Sequence, residues 1–149
     1  MSEIVYDSTE RLGFEEWLAF LRRAELGKFY PKRDWKQRVT RALANAGVTI
    51  TARVGSELIG ACTGLTEFSY FLFLTDVSVA KAHAGKGVEQ ELVRRAIEAA
   101  GGPEDITVIS WAMPDAMPLY ESLGIVPQDG LIAKDAPIPE WFNPGEAKS

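Results

Sequence analysis

Only one cysteine and one histidine occur in the 149 residues. Cys62 alone cannot close a disulfide within the chain, and Cys62 with His83 falls short of the ligand set that holds a structural zinc. Neither a disulfide scaffold nor a metal centre is expected, and a reducing compartment is. Long apolar runs are also missing: none approaches the roughly 18 residues that span a membrane. The opening Met1-Ser-Glu-Ile-Val-Tyr-Asp-Ser-Thr-Glu10 lacks the basic-then-apolar order of a secretory signal. A cytosolic protein with no membrane partner is the expectation. Basic surplus is absent as well, since 16 Lys and Arg face 21 Asp and Glu for a formal charge of −5. That sign opposes a nucleic-acid surface and suits a ligand carrying an amine. What is present, 46% apolar and 25% charged residues, supports one packed core in one domain, without repeats or low-complexity segments.

Ile4 to Tyr6 reads as a first strand. Phe14, Trp17, Leu18 and Leu21 recur at helical spacing, predicting a helix over Gly13 to Leu26 that Gly27 closes. After the loop Lys28-Phe-Tyr-Pro-Lys-Arg33, Asp34 is placed to cap a second helix, with Trp35, Val39, Ala42, Leu43 and Ala46 facing inward and Gly47 ending it. Val48, Ile50, Ala52 and Val54 alternate with polar residues as in a half-buried strand. Gly55-Ser56 turns the chain into a strand over Leu58 to Thr66, and a turn near Glu67 leads to Tyr70–Val79, whose apolar faces predict a central strand. A helix over Glu89 to Ala100, a strand over Ile106 to Trp111 and a short helix around Tyr120, capped by Asp115, follow. Ile125 and Leu131–Lys134 are left to supply the last strand or two. The expected fold class is α+β, in the order β-α-α-β-β-β-α-β-α-β, with a mixed, mainly antiparallel sheet and helices on both faces. Residues 1–134 form the single domain, and 135–149 a proline-rich tail that Trp141-Phe142 docks on the body.

The stretch Leu74-Thr-Asp-Val-Ser-Val-Ala-Lys-Ala-His-Ala-Gly-Lys-Gly-Val88 is a strand running through a glycine loop into a helix. First-turn N–H groups and the helix dipole make such a junction an anion site, usually for phosphate. About thirty residues later, Pro118-Leu-Tyr-Glu-Ser-Leu-Gly124 sets a tyrosine near the start of a short helix. A nucleotide-type cofactor on the loop with an acid or base nearby is the reading these two features suggest.

This order and these motifs resemble the GNAT family of acetyl-CoA-dependent N-acetyltransferases over about Ile4 to Lys134. Leu58–Tyr70 is similar to the family's third strand and turn, Thr75–Val79 to its fourth strand, and Asp115–Gly124 to its C-terminal helix motif. The resemblance implies acetyl-CoA as co-substrate, no metal, and an acceptor that is a primary amine of a small molecule or peptide, attacked directly. It implies Tyr120 as the general acid that protonates the leaving thiolate. Backbone groups around Val77 and Val79 would hold the pantetheine arm and polarise the acetyl carbonyl. The loop Ala84, Gly85, Lys86, Gly87, Val88 and Glu89 would wrap the pyrophosphate. A homodimer paired through edge strands is an option the resemblance leaves open.

The loop departs from the family signature, which asks for Gln or Arg where Ala84 stands and for Gly or Ala where Glu89 stands; Gly87 agrees. A carboxylate about 6 Å from a phosphate costs about 3 kcal/mol at an effective dielectric near 20, and the donor lost at Ala84 about 1–3 kcal/mol more. A GNAT-fold protein that has lost catalysis and serves as a ligand-binding or interaction module is therefore the alternative reading. Transfer of another acyl group is a third. Asp76 and Glu67 are the candidates for a general base. Cys62, Trp17, Trp35 and Trp111 are expected in the core and His83 on a solvated loop; Lys28, Lys32 and Arg33 are read as a solvated basic loop, with an acidic ligand group or the cofactor's 3′-phosphate as the other partner open to them.

Overall fold

A computed structural model describes residues 3–136 and 140–145. Its main sheet has five strands: β1 (Ile4–Asp7), β3 (Val48–Val54), β4 (Glu57–Thr66), β5 (Phe71–Val79) and β6 (Thr107–Ser110), side by side in that order. All neighbours are antiparallel except β5 and β6, so the sheet is mixed and mainly antiparallel, as the sequence pattern predicts. Helices α1 (Phe14–Arg23) and α2 (Trp35–Asn45) cover one face, α3 (Val88–Ala100) the other. The side chains of β4 divide between the two cores: Leu58 and Ala61 face α1 and α2, Ile59 and Cys62 face α3, a three-residue spacing produced by a bulge at Ile59, which the pairing with β3 skips. On the α3 side Leu92, Val93 and Ala96 meet Ile50, Leu72 and Leu74; on the other, Trp17, Phe20 and Leu21 meet Val39 and Leu43.

Several expectations are corrected. The most enclosed strand is β4, buried at seven consecutive residues, whereas β5 has only the short β6 beyond it. Helix α1 stops at Arg23, four residues before Gly27, because Glu25 takes a left-handed φ of 55°. Asp34 precedes α2 at a left-handed φ of 52° and makes no side-chain cap. Asp115 sits in a one-turn 3-10 segment, 114–116, ahead of α4 (Met117–Ser122) and does not cap it.

No strand forms at Ile125 or over Leu131–Lys134. Gly124 and Gly130 adopt φ of 77° and 99°, and Pro127 lies between them; bends and a missing donor prevent a ladder there. The chain instead returns at β7 (Trp141–Phe142), which pairs antiparallel with β2 (Tyr30–Pro31). Phe142 stands edge-on to Trp35 with centroids 4.9 Å apart, Lys32 N–H donates to Glu140 O at 3.1 Å, and Arg22 Nε donates to Pro144 O at 3.2 Å. Pro137 and Pro139 lie outside the described residues.

Candidate active site

The site begins where two strands part. β5 and β6 pair from Phe71↔Thr107 to Leu74↔Ser110 and no further. β5 runs on to Val79 while β6 ends, so over Thr75–Val79 one backbone edge of β5 has no strand beside it among the described residues. Val77 is half-buried and Val79 buried on this stretch. Unpaired N–H and C=O groups on an accessible edge are ready to bind an extended ligand by main-chain hydrogen bonds.

At the end of β5 a single 3-10 turn, Lys81–His83, leads to the glycine loop. Ala84 is extended and exposed, and its N–H donates to Lys81 O at 3.2 Å. Gly85 and Gly87 take φ of 72° and 88°, a region open to glycine, and a Cβ at either would meet nothing within 4 Å. Val88, 3% exposed, anchors the start of α3 in the core. Glu91 N–H donates to Gly87 O at 3.1 Å, leaving Val88, Glu89 and Gln90 N–H groups without intrahelical acceptors. The loop is thus an open concavity of amides at the positive end of a helix. Lys86 Nζ donates to Ala82 O at 3.0 Å. Gly85 N–H donates to Glu89 Oε1 at 3.3 Å, so the first-turn carboxylate lies over the loop and holds one of its amides.

Tyr120, 8% exposed on α4, is brought into the core beside Cys62 and Val77. Burial, foremost, raises the pKa of its hydroxyl, while the Ser110 hydroxyl beside it pulls the other way. Ser110 is the last paired residue of β6, which places Tyr120 near the point where β5 and β6 separate. Its ring also walls a cavity of about 480 Å³ that follows the outer edge of β6, with Trp111, Met117, Ile125 and Leu131. Trp111, expected in the core, is 60% exposed on this rim.

On the opposite face lies a second cavity of about 350 Å³, between the α1–α2 layer and the middle of β4 and β5. Asp76 enters it, ion-paired with Lys28 and accepting the Ser78 hydroxyl at 2.7 Å. Thr63 and Thr75 hydroxyls are linked at 2.8 Å in its floor. Tyr30 forms another wall and accepts Trp17 Nε1–H at 2.9 Å; burial pushes its hydroxyl up to about 12. Sequence reasoning named Asp76 but missed Tyr30 and Thr63, which carry no motif and acquire a role only through their place on the cavity wall.

The other base candidate stands elsewhere. Glu67 closes the β4–β5 turn, where its carboxylate accepts the N–H groups of Ser69, Tyr70 and Phe71 at 3.2, 2.7 and 2.7 Å. Those bonds, the Phe71 one first, hold its pKa below the usual carboxylate range. Cys62 is fully buried, and burial pushes its thiol far up, as fits a core residue. His83 lines a separate shallow cavity with Arg23 and Glu57. The basic cluster does not converge on the loop: Lys28 turns to Asp76, and Lys32 to Glu140 at 3.4 Å.

Comparisons with known proteins agree with this geometry. Residues 10–125 match the family model described as Acetyltransferase (GNAT) family. A search of curated proteins finds no match. Among solved structures, a probable acetyltransferase of unknown function from meticillin-resistant Staphylococcus aureus is similar at 21% identity and TM-score 0.68, covering 91% of this chain and 100% of that one. The aminoglycoside N-acetyltransferase AAC(6')-Iy, in complex with CoA, is similar at 15% identity and TM-score 0.65, covering 92% and 97%. Glucosamine-6-phosphate N-acetyltransferase from Arabidopsis thaliana is similar at 13% identity and TM-score 0.58, covering 88% and 98%. At such identities these structures speak to the fold alone.

Proposed function

Since this chain belongs to the acetyltransferase (GNAT) family, we propose that it is an N-acetyltransferase moving an acetyl group from acetyl-CoA to a primary amine by direct attack. The observation that carries the reading is the unpaired stretch of β5, Thr75–Val79, followed after one 3-10 turn by the glycine loop. A thioester arm laid along a strand edge and a diphosphate on helix amides need those two features in that order.

The fit to acetyl-CoA follows residue by residue. Backbone groups at Val77 and Val79 would bind the arm, and Gly85, Lys86, Gly87 and Val88 would cradle the diphosphate. Ala84 contributes no side-chain donor, and Glu89 must release Gly85 N–H for the cradle to be complete. When bound, acetyl-CoA supplies an acyl group activated as a thioester. The chain's own residues manage charge and protons. A β5 N–H facing the acyl oxygen would stabilise negative charge developing there. As the C–N bond forms and the C–S bond breaks, the amine loses one proton and the sulfur gains one. Tyr120 would donate the latter: with its pKa raised by burial, its hydroxyl keeps its proton at neutral pH and has it to give.

The contact between Glu89 and Gly85 favours a second reading, a GNAT-fold binding module in which the carboxylate keeps the cradle closed to diphosphate. Calorimetric titration with acetyl-CoA separates the two. A micromolar or tighter dissociation constant is expected for the enzyme; no heat at millimolar ligand would establish the module. Tyr120→Phe should lower kcat by about 10²–10⁴-fold, the usual range for general acid catalysis, with the acetyl-CoA dissociation constant unchanged. An unaltered rate would remove Tyr120 from the mechanism.

A further inference from the structure

The 350 Å³ cavity beside β5 carries information about the acceptor. Its volume is at the small end for ligand sites. Trp17, Val39 and Leu43 form buried apolar walls, and Phe29 and Leu65 form exposed apolar rims. Among the described residues Asp76 is the one carboxylate lining it, with its side chain 11% exposed. The Ser78 hydroxyl bond fixes that carboxylate in place. Lys28 reaches it from the loop between α1 and α2, so an ammonium group already occupies the acidic point of a cavity otherwise lined by apolar side chains and uncharged polar groups.

We propose that this cavity takes a primary monoamine with an uncharged aryl or alkyl body, and that Lys28 Nζ marks the position its ammonium occupies on Asp76. Leaving Asp76 unpaired at this depth would be costly, and exchanging one ammonium for another keeps it paired. The Lys28 side chain is 27% exposed on a loop, so water can receive it when it leaves. The incoming body then gains by burial against Trp17, Val39 and Leu43. A polyamine would bring further cations to a wall with no second carboxylate among the described residues. An α-amino acid would bring its own carboxylate beside Asp76, where like charges repel.

This inference rests on reading the site as that of an acetyltransferase, and its test is made without coenzyme so that the two can fail separately. Phenethylamine is titrated calorimetrically into the full chain, alongside 2-phenylethanol, phenylalanine and spermine. The amine should bind at least about tenfold more tightly than each of the other three. Lys28→Met should tighten phenethylamine binding by about tenfold, because the internal competitor is gone, and Asp76→Asn should abolish the preference for amine over alcohol. Equal binding of amine and alcohol, tighter binding of spermine or phenylalanine, or a Lys28→Met variant with unchanged or weakened affinity would overturn the proposal. If Asp76→Asn lacks the far-ultraviolet circular dichroism of the folded chain, the wild-type comparison of amine with alcohol decides alone. Amine binding with no acetylated product on adding acetyl-CoA would sink the transferase reading and leave the amine cavity standing. Product on a different amine, with no phenethylamine binding, would do the reverse.

Discussion

Glu89 shows how far one side chain can redirect a motif. In the sequence it is a bulky acid at a place the family keeps small; in the structure its carboxylate accepts Gly85 N–H across the loop. The same position is favourable for the free helix, since an acid on the first turn complements the dipole. It opposes a diphosphate through charge and through competition for the amide. The contact is exposed, so screening reduces the full Coulomb cost. Glu89→Gly should still tighten acetyl-CoA binding by at least about tenfold, read by calorimetry. Unchanged affinity would show that the carboxylate swings clear at no cost. The direction in which Glu89 points was not legible from its identity. The residue type at 89 was enough to flag a conflict, but only the backbone of Gly85 shows what the carboxylate holds.

Among the elements, those with strong periodicity were readable. Trp17 and Leu21 mark α1, the alternation from Val48 marks β3, and Val88, Leu92 and Val93 mark α3. Readability fails where tertiary pairing decides. Leu131–Lys134 has strand-like residues but no ladder, and Trp141–Phe142 gains one only by meeting Tyr30–Pro31. Asp76 could not be told from Glu67 as a base by sequence, since an acid within a strand and an acid at the turn before it are equally uninformative about what each faces. Glu67 proves to be a turn brace, and that role has a pH signature. Its pKa is lowered in the folded chain, so its contribution is fully present above the unfolded value near 4.5 and is lost as pH falls through the folded value. Chemical denaturation should therefore find Glu67→Gln less stable than wild type at pH about 7, with the gap closing toward pH about 3. A gap that persists in acid would mean the loss does not come from the ionised carboxylate, and no gap at neutral pH would mean the amide braces the turn equally well.

For the molecule as a whole, the two faces of the sheet carry different features: Tyr120 and the start of α3 pack on one, and the 350 Å³ cavity lies under α1 and α2 on the other. The tail belongs to the second face. Phe142 against Trp35, with the β2–β7 pair behind it, supports the segment that carries Lys28, Phe29 and Tyr30. Phe142→Ala should cost about 1–3 kcal/mol, less than a fully buried phenylalanine, because the side chain is half-exposed. That corresponds to a drop in Tm of roughly 3–9 °C, measurable by calorimetric melting. The KM for an amine acceptor should rise while affinity for acetyl-CoA holds; loss of both would mean the tail steadies the entire sheet. Residues more than a hundred positions apart thus share custody of one pocket. On the proposed function, exchanges at Trp141 or Phe142 are expected to change selectivity among acceptors without touching the acyl donor, and a search for specificity determinants confined to the cavity lining would pass over them.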